Sequence, residues 1–223
     1  MTYMSSENHK KIMVSDFDGT MTRYDFFDIA RQHLPTATDH DYWQEYLDGN
    51  ISHFEAMASI FGAIRTDHQG MENALARMEL DLTLRDSVAR LEAAGWKIIV
   101  ASAGSEWYIK RLLDKAGVEL EVHANPGKFT PENGLELSLP TDSPYFEPDK
   151  GIDKEAIVRK ALSQDSQAAF AGDGRPDIPA AKNVSGSRLF ARGMLADYFS
   201  EKGRPFHYFE NWKQIADILL DEK

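Results

Sequence analysis

Ile12-Met13-Val14-Ser15-Asp16-Phe17-Asp18-Gly19-Thr20 is the stretch on which the reading of the whole chain turns. Its first four residues form a short apolar run that enters two acids and a glycine, the pattern of a buried strand ending at a turn. In extended backbone, residues two apart point to the same side. The Asp16 and Asp18 carboxylates therefore face one crevice, about 7 Å apart at a rise of roughly 3.3 Å per residue. Open α/β sheets bind ligands beyond the carboxyl ends of their strands, which is where these acids stand. One carboxylate there can act as a nucleophile and the other as acid and base. An acidic strand end before a glycine turn is also an ordinary solvated loop. The apolar strand before it and Gly19-Thr20 after it favour a site.

Further strands are expected at Lys97–Ala101, Ala168–Ala171 and Arg188–Ala191, with helices at Leu84–Ala94, Trp107–Ala116 and Lys154–Leu162 between them. Gly95 and Gly117 follow the first two helices as C-terminal stops. This alternation predicts an α/β fold: a doubly wound, Rossmann-like core with a largely parallel sheet. Residues 25–82 break the alternation. They hold helical segments at Tyr42–Leu47, His53–Phe61 and Met71–Glu79 and read as a helical cap inserted after the first strand. Residues 119–148 carry Asn133-Gly134 between Phe129 and Leu135–Leu137, a hairpin signal, followed by a loop with Pro140, Pro144 and Pro148. The expected organisation is a core of 10–24 plus 83–223, a cap of 25–82, and a hairpin-and-loop insertion at 119–148 within the core. The aromatic stretch Phe206–Trp212 is expected to bury the last strand and helix against the sheet.

Each later strand end adds a chemical group. Ser102-Ala103-Gly104 follows the second strand and precedes a helix, where a hydroxyl and free N–H groups suit a phosphate oxygen; serine is equally a common helix cap. Lys154 opens a helix and can hold an anion beside a nucleophilic carboxylate, although Lys150 competes for that role. In Gly172-Asp173-Gly174-Arg175-Pro176-Asp177 the glycines permit a sharp turn and close approach. Its two acids can complete an oxygen site for Mg²⁺. A hydroxyl, a lysine and four acids would then converge on one edge of a parallel sheet.

Composition narrows the classes. The chain has 223 residues, 42% hydrophobic and 27% charged, as in ordinary globular proteins. With no cysteine, disulfides, thiolate metal sites and cysteine nucleophiles are excluded. No apolar stretch suits a signal peptide or a membrane span, so a cytoplasmic protein is expected. A net charge of −11 with no basic run speaks against nucleic acid. An anionic substrate would need a local cation to reverse this field. The seven histidines show no ligand spacing, and the Asn50-Ile51-Ser52 and Asn183-Val184-Ser185 sequons have no meaning without secretion.

Taken in order, Asp16-Phe17-Asp18-Gly19-Thr20, Ser102, Lys154 and Gly172-Asp173…Asp177 resemble the four motifs of haloacid-dehalogenase-superfamily phosphatases. The helical insertion is similar to the cap of the phosphoserine-phosphatase-like branch. Thr22-x-x-Asp25, Met57–Gly62 and Phe190-Ala191-Arg192 look like the methionine-salvage phosphatases of that branch, which act on 2-hydroxy-3-keto-5-methylthiopentenyl 1-phosphate. The resemblance implies that Asp16 becomes phosphorylated, that Asp18 is the acid and base, and that Ser102 and Lys154 bind phosphate. It implies Mg²⁺ held by Asp16, the Asp18 carbonyl, Asp173 and Asp177, with Thr20, Asp25, Ala103 and Gly104 near the substrate. It also prefers Lys154 to Lys150. The implied partner is a small phosphorylated metabolite. The phosphoserine branch uses a cap arginine and a glutamate near the substrate amine. Here the helix at His53–Phe61 has no arginine, Arg65 lies beyond it, and Asp25 stands in the glutamate's place, so phosphoserine is disfavoured. Phe26, Phe27, Met57 and Phe61 would give the cap an apolar inner surface. A phospho-accepting signalling protein or an idle scaffold are the non-enzymatic rivals; Asp18 opposes the first, since an acid/base two residues away speeds loss of the phosphate.

Overall fold

The computed structural model describes residues 11–221. A six-stranded, wholly parallel sheet forms its centre. The strands are β1 (Lys11–Ser15), β2 (Trp96–Ser105), β3 (Glu121–Asn125), β8 (Ala169–Gly172), β9 (Leu189–Ala191) and β10 (His207–Tyr208), in the order β10-β9-β8-β1-β2-β3. The chain winds outward from β1 through β2 to β3, then crosses back to β8 on the other side. The direction of winding thus reverses between β1 and β8, where sheets of this kind open a crevice.

Side-chain alternation explains the two faces. Met13, Ile98, Val100, Ala169 and Ala171 enter one core, with α5 (Leu84–Ala93), α6 (Glu106–Ala116) and α10 (Trp212–Asp221). Ile12, Val14, Ile99, Ala101 and Phe170 enter the other, with α7 (Lys154–Gln164), α8 (Ile178–Ala181) and α9 (Gly193–Glu201). Both faces are covered, so the strands read as apolar runs. Gly95 at φ +83° and Gly117 at φ +66° end their helices in the left-handed region, as the sequence requires.

Between β1 and α5 lie α1 (Phe26–His33), α2 (Tyr42–Leu47), α3 (His53–Gly62) and α4 (His68–Arg77). Asp25, Asp41, Ser52 and Asp67 each accept a hydrogen bond at a helix N-terminus, and Ser52 with Glu55 completes a capping box. The segments leading into and out of this layer run side by side and antiparallel: Thr22 bridges Leu80, and the backbone N–H groups of Arg23 and Tyr24 donate to the Met78 carbonyl. A hairpin of β4 (Gly127–Thr130) and β5 (Gly134–Leu137) backs α3, and a second short antiparallel pair joins β6 (Phe146–Glu147) to β7 (Gly151–Ile152). Gly134 has φ +69°, and a Cβ there would meet the α3 terminal carbonyls of Phe61, Gly62 and Ile64 within 2.9 Å.

Three local expectations change. Residues 121–125, placed by sequence in the hairpin-and-loop segment 119–148, pair with β2 as an edge strand of the central sheet; half-buried Val122 and His123 weaken the apolar signal that marks the inner strands. Ser102-Ala103-Gly104 do not lie beyond the second strand. β2 continues through them with a register shift, and the N-cap of α6 is Ser105, whose Oγ accepts from Trp107 N. In Phe206–Trp212, Phe209 and Trp212 are fully buried, but Tyr208 is exposed.

Candidate active site

The loop after β1 is held from both sides. Asp16 N donates to the Ala171 carbonyl of β8, continuing the parallel ladder past Ser15. Gly19 turns at φ +66°, and a Cβ on it would lie 2.3 Å from Asp173 Oδ2. Only glycine lets the first loop pass the fourth so closely. Arg192, at the end of β9, donates Nε to the Gly19 carbonyl at 2.5 Å and Nη2 to the Thr22 carbonyl.

Lys154 sits at the start of α7, 6% exposed, with Nζ 2.8 Å from Asp16 Oδ1 and 2.7 Å from Asp177 Oδ1. Asp177 is fully buried; its Oδ2 accepts from Asp173 N and Gly174 N, each at 3.0 Å. Gly172 allows this, since a Cβ there would stand 2.7 Å from the Asp177 carboxyl. Oxygens of Asp16, Asp173 and Asp177 lie within 4.8 Å of one another. Burial, then the Asp177 charge, raises Asp16 well above the ordinary carboxyl range, with Lys154 opposing. The same two causes push Asp173 to about 7. Burial works against the charge of Lys154, but Asp16 and Asp177 outweigh it and move its pKa upward. Three crowded carboxylates with one ammonium form an all-oxygen set whose excess charge suits a hard divalent cation.

Asp18 turns away from that group. Its Oδ1 accepts from Phe26 N at 3.1 Å; its Oδ2 accepts from Tyr108 Oη at 2.8 Å and Ser102 Oγ at 3.4 Å. Burial raises Asp18, against the pull of these three donors and Lys154. Its side chain is thus not one of the clustered acids. Tyr108 is itself held protonated, first by burial and then by the Asp18 charge.

Asp16, Asp18, Ser102 and Lys154, with Asp25, Ala103, Gly104 and Asp173, line one cavity of about 370 Å³. Thr20 does not reach it: its hydroxyl donates to Asp173 Oδ1 at 3.2 Å, behind the acids. Lys150 is excluded as the central cation, because its Nζ lies by Glu147 and Asp149 on the loop outside. Buried Asn125 explains the selection. Its Nδ2 donates to the Ala103 and Lys150 carbonyls at 2.8 and 3.0 Å, fastening the second motif to the loop before Lys154. The helical layer roofs the cavity with Phe27, Trp43, Tyr46, Leu47, His53 and Met57. Phe26 and Phe61, expected on that inner surface, instead pack edge to face in the core, their centroids 5.1 Å apart. Arg65 is spent on the Gly62 and Ile64 carbonyls, at 2.8 Å each. Burial pushes His53 down to about 4, so it is neutral.

Sequence reasoning missed Asn125, Tyr108 and His53. Asn125 is a lone amide at a strand end. Tyr108 falls on the buried face of α6 with Ile109 and Leu112, where an aromatic reads as core. His53 has no partner spacing that marks it.

Several proteins resemble the chain over nearly its full length. It is 26% identical over 217 residues to Pdp3-interacting factor 1 of Schizosaccharomyces pombe, covering 93% of this chain and 92% of that one. It is 26% identical over 233 residues to a polyol phosphate phosphatase of Saccharomyces cerevisiae, covering 96% of each. It is 23% identical over 210 residues to a 2-hydroxy-3-keto-5-methylthiopentenyl-1-phosphate phosphatase of Bacillus cytotoxicus, covering 92% and 93%. Among solved structures, a HAD-family hydrolase of Salmonella enterica serovar Typhi superposes with a TM-score of 0.69 at 19% identity, over 96% of this chain and 72% of that one. A substrate-bound phosphoserine phosphatase superposes at 0.63 and 16%, over 93% and 97%. These two share the fold. Residues 13–182 match the family model of haloacid dehalogenase-like hydrolases, and the chain belongs to that family.

Proposed function

We propose that the protein is a Mg²⁺-dependent phosphatase of small phosphomonoesters that works through a phosphorylated Asp16. The observation that carries this reading is the meeting, at one sheet edge, of Asp16 with Lys154 at 2.8 Å and with the oxygens of Asp173 and Asp177 within 4.8 Å. Asp16 Oδ attacks phosphorus while the bond to the leaving oxygen breaks. Asp18 gives that oxygen its proton. A water then attacks the aspartyl-phosphate, Asp18 takes the water's proton, and phosphate leaves with Asp16 restored. Lys154 screens the nucleophile from the incoming anion, and Ser102 orients a phosphate oxygen. Asp16, Asp173, Asp177 and the Asp18 carbonyl are the groups that would hold Mg²⁺. When bound, the ion draws charge from the phosphoryl oxygens.

Residues 25–82 serve as the cap that selects the leaving group, with Asp25 and Gly104 facing it. The lining by Phe27, Trp43, Leu47 and Met57, without a cap arginine, suits a body lacking a carboxylate. It supports 2-hydroxy-3-keto-5-methylthiopentenyl 1-phosphate, the substrate named for the Bacillus cytotoxicus relative. Asp25 and Asp28 beside Trp43 and Tyr46 also favour a hydroxyl-bearing body, as in a polyol phosphate or phosphosugar. A panel of such esters separates the two by kcat/KM. The test of the chemistry is Asp16→Asn, which should abolish hydrolysis of p-nitrophenyl phosphate while the protein still melts cooperatively. Turnover in that variant refutes it.

A further inference from the structure

We propose that Tyr108 is a positioning residue that aims Asp18 at the leaving-group oxygen; the inference rests on the reading of Asp18 as the general acid. The terminal torsion of an aspartate is soft and roughly two-fold, so an unheld carboxyl swings through a wide arc. An acid that must meet one oxygen at the moment of bond breaking needs that torsion fixed. Here it is fixed at both ends. Phe26 N, at the start of α1, donates to Oδ1 at 3.1 Å, and Tyr108 Oη donates to Oδ2 at 2.8 Å. Ser102 Oγ, at 3.4 Å, makes a longer contact, and its proposed task is the phosphate.

The surroundings are built for this phenol. Tyr108 is 1% exposed, and its ring lies 4.8 Å from Phe26 and 6.5 Å from Phe17, between the residue that holds Oδ1 and the one between the two acids. Gly104 leaves the hydroxyl its room: a Cβ there would stand 1.8 Å from Tyr108 Oη and 2.8 Å from Asp18 Oδ2. The role of Gly104 is thus not only to face substrate. It keeps open the path between phenol and acid. Asp18 has lone pairs to spare, since each carboxylate oxygen offers two, so both holding bonds persist while one oxygen carries the transferred proton.

The step tested is the first one. As the phosphorus–oxygen bond breaks, its electron pair goes to the leaving oxygen and the Asp18 proton joins it. An alkoxide is a poor leaving group and needs that proton; p-nitrophenolate departs as a stable anion and hardly does. The experiment compares kcat/KM, which stops at leaving-group departure, for glycerol 2-phosphate and p-nitrophenyl phosphate in the parent, Tyr108→Phe and Asp18→Asn. Phenylalanine keeps the ring packing and removes only the donor. The expected result is a loss of about tenfold or more on the alkyl ester and less than about threefold on the aryl ester, part of the 10²–10⁴ that a general acid supplies. Asp18→Asn should show the same selectivity, more strongly. Tyr108→Met, which also lacks the donor, should show the same selectivity and serves if Tyr108→Phe folds poorly. Equal losses on both esters in Tyr108→Phe, or none, with selectivity kept in Asp18→Asn, overturn the positioning role alone. No selectivity in Asp18→Asn overturns the reading of Asp18 beneath it.

Discussion

Removing the divalent ion and changing the pH should reveal how far the clustered acids depend on neutralisation. Asp173 has an ordinary value of 3.8, raised to about 7 by burial and by Asp177. A carboxyl raised in the folded state contributes stability that is full below its unfolded value and is lost as pH rises through its folded value. The metal-free protein should therefore lose stability between about pH 4 and 7, against the usual trend of acid unfolding. A cation needs the carboxylate deprotonated, so its stabilisation grows over the same range. At about pH 5, two units below the folded value, the Asp173 proton alone weakens apparent affinity about 100-fold. That is about 2.7 kcal/mol at 1.36 kcal/mol per unit, or roughly 5–11 °C in melting temperature for a chain of this size. Asp16, also raised, acts in the same direction.

The assay is a thermal melt at about pH 5 and pH 8, each in chelator and in excess Mg²⁺. The readout is the rise caused by the metal. His53, which titrates in the same window, affects both melts alike and cancels. The rise should be several degrees larger at the higher pH. An equal rise at the two values would refute the argument, as would an unchanged pH dependence in Asp173→Asn.

Lys154→Met strips the cation from two buried partners at 2.8 and 2.7 Å and should cost about 3–5 kcal/mol without metal; a chelated melt like the parent's would count against the pairing. Gly172→Ala drives a Cβ to 2.7 Å from the Asp177 carboxyl. It should lower Mg²⁺ affinity about 10–100-fold, as losses of ligand-orienting groups do, measured by titrating activity with the ion. Arg192→Met removes the donors to the Gly19 and Thr22 carbonyls and should lower kcat through a loosened first loop with little change in KM. A rise in KM alone would place its effect on binding.

How much of this was legible depends on whether a residue's partners lie near it in sequence. Asp16 and Asp18 were legible because an apolar strand runs straight into them and a glycine turn follows, although they lie on the loop just past β1 and not in extended strand. Asp173 and Asp177 were legible because glycines flank an acid at a strand end. Their placement against Asp16 follows from strand order, which the alternation of elements already implied. Thr20 carried no such signal. Its hydroxyl reaches a residue 153 positions away, so its turn from the cavity toward Asp173 exists only in the folded chain. β3 was hidden because an edge strand keeps one side half exposed. Tyr108 was hidden most deeply, since the helical pattern that buries its ring says nothing of what its hydroxyl meets.

The charge of the chain remains to be squared with an anionic substrate. Acids outnumber bases 36 to 25, and in the cluster around Lys154 three carboxylates, Asp16, Asp173 and Asp177, face one ammonium. On the proposed reading a divalent ion held by Asp16, Asp173 and Asp177 would bring that group to neutrality without making it positive, and Lys154 and Ser102 would orient the phosphate dianion. For Asp18 the consequence is useful. Burial already raises it, and a dianion arriving beside it disfavours its charged form further. Both effects act toward the protonated form that the proposed general acid needs. A pocket lined with arginines would grip phosphate harder, but its positive charge would lower Asp18 and work against the proton it is proposed to give.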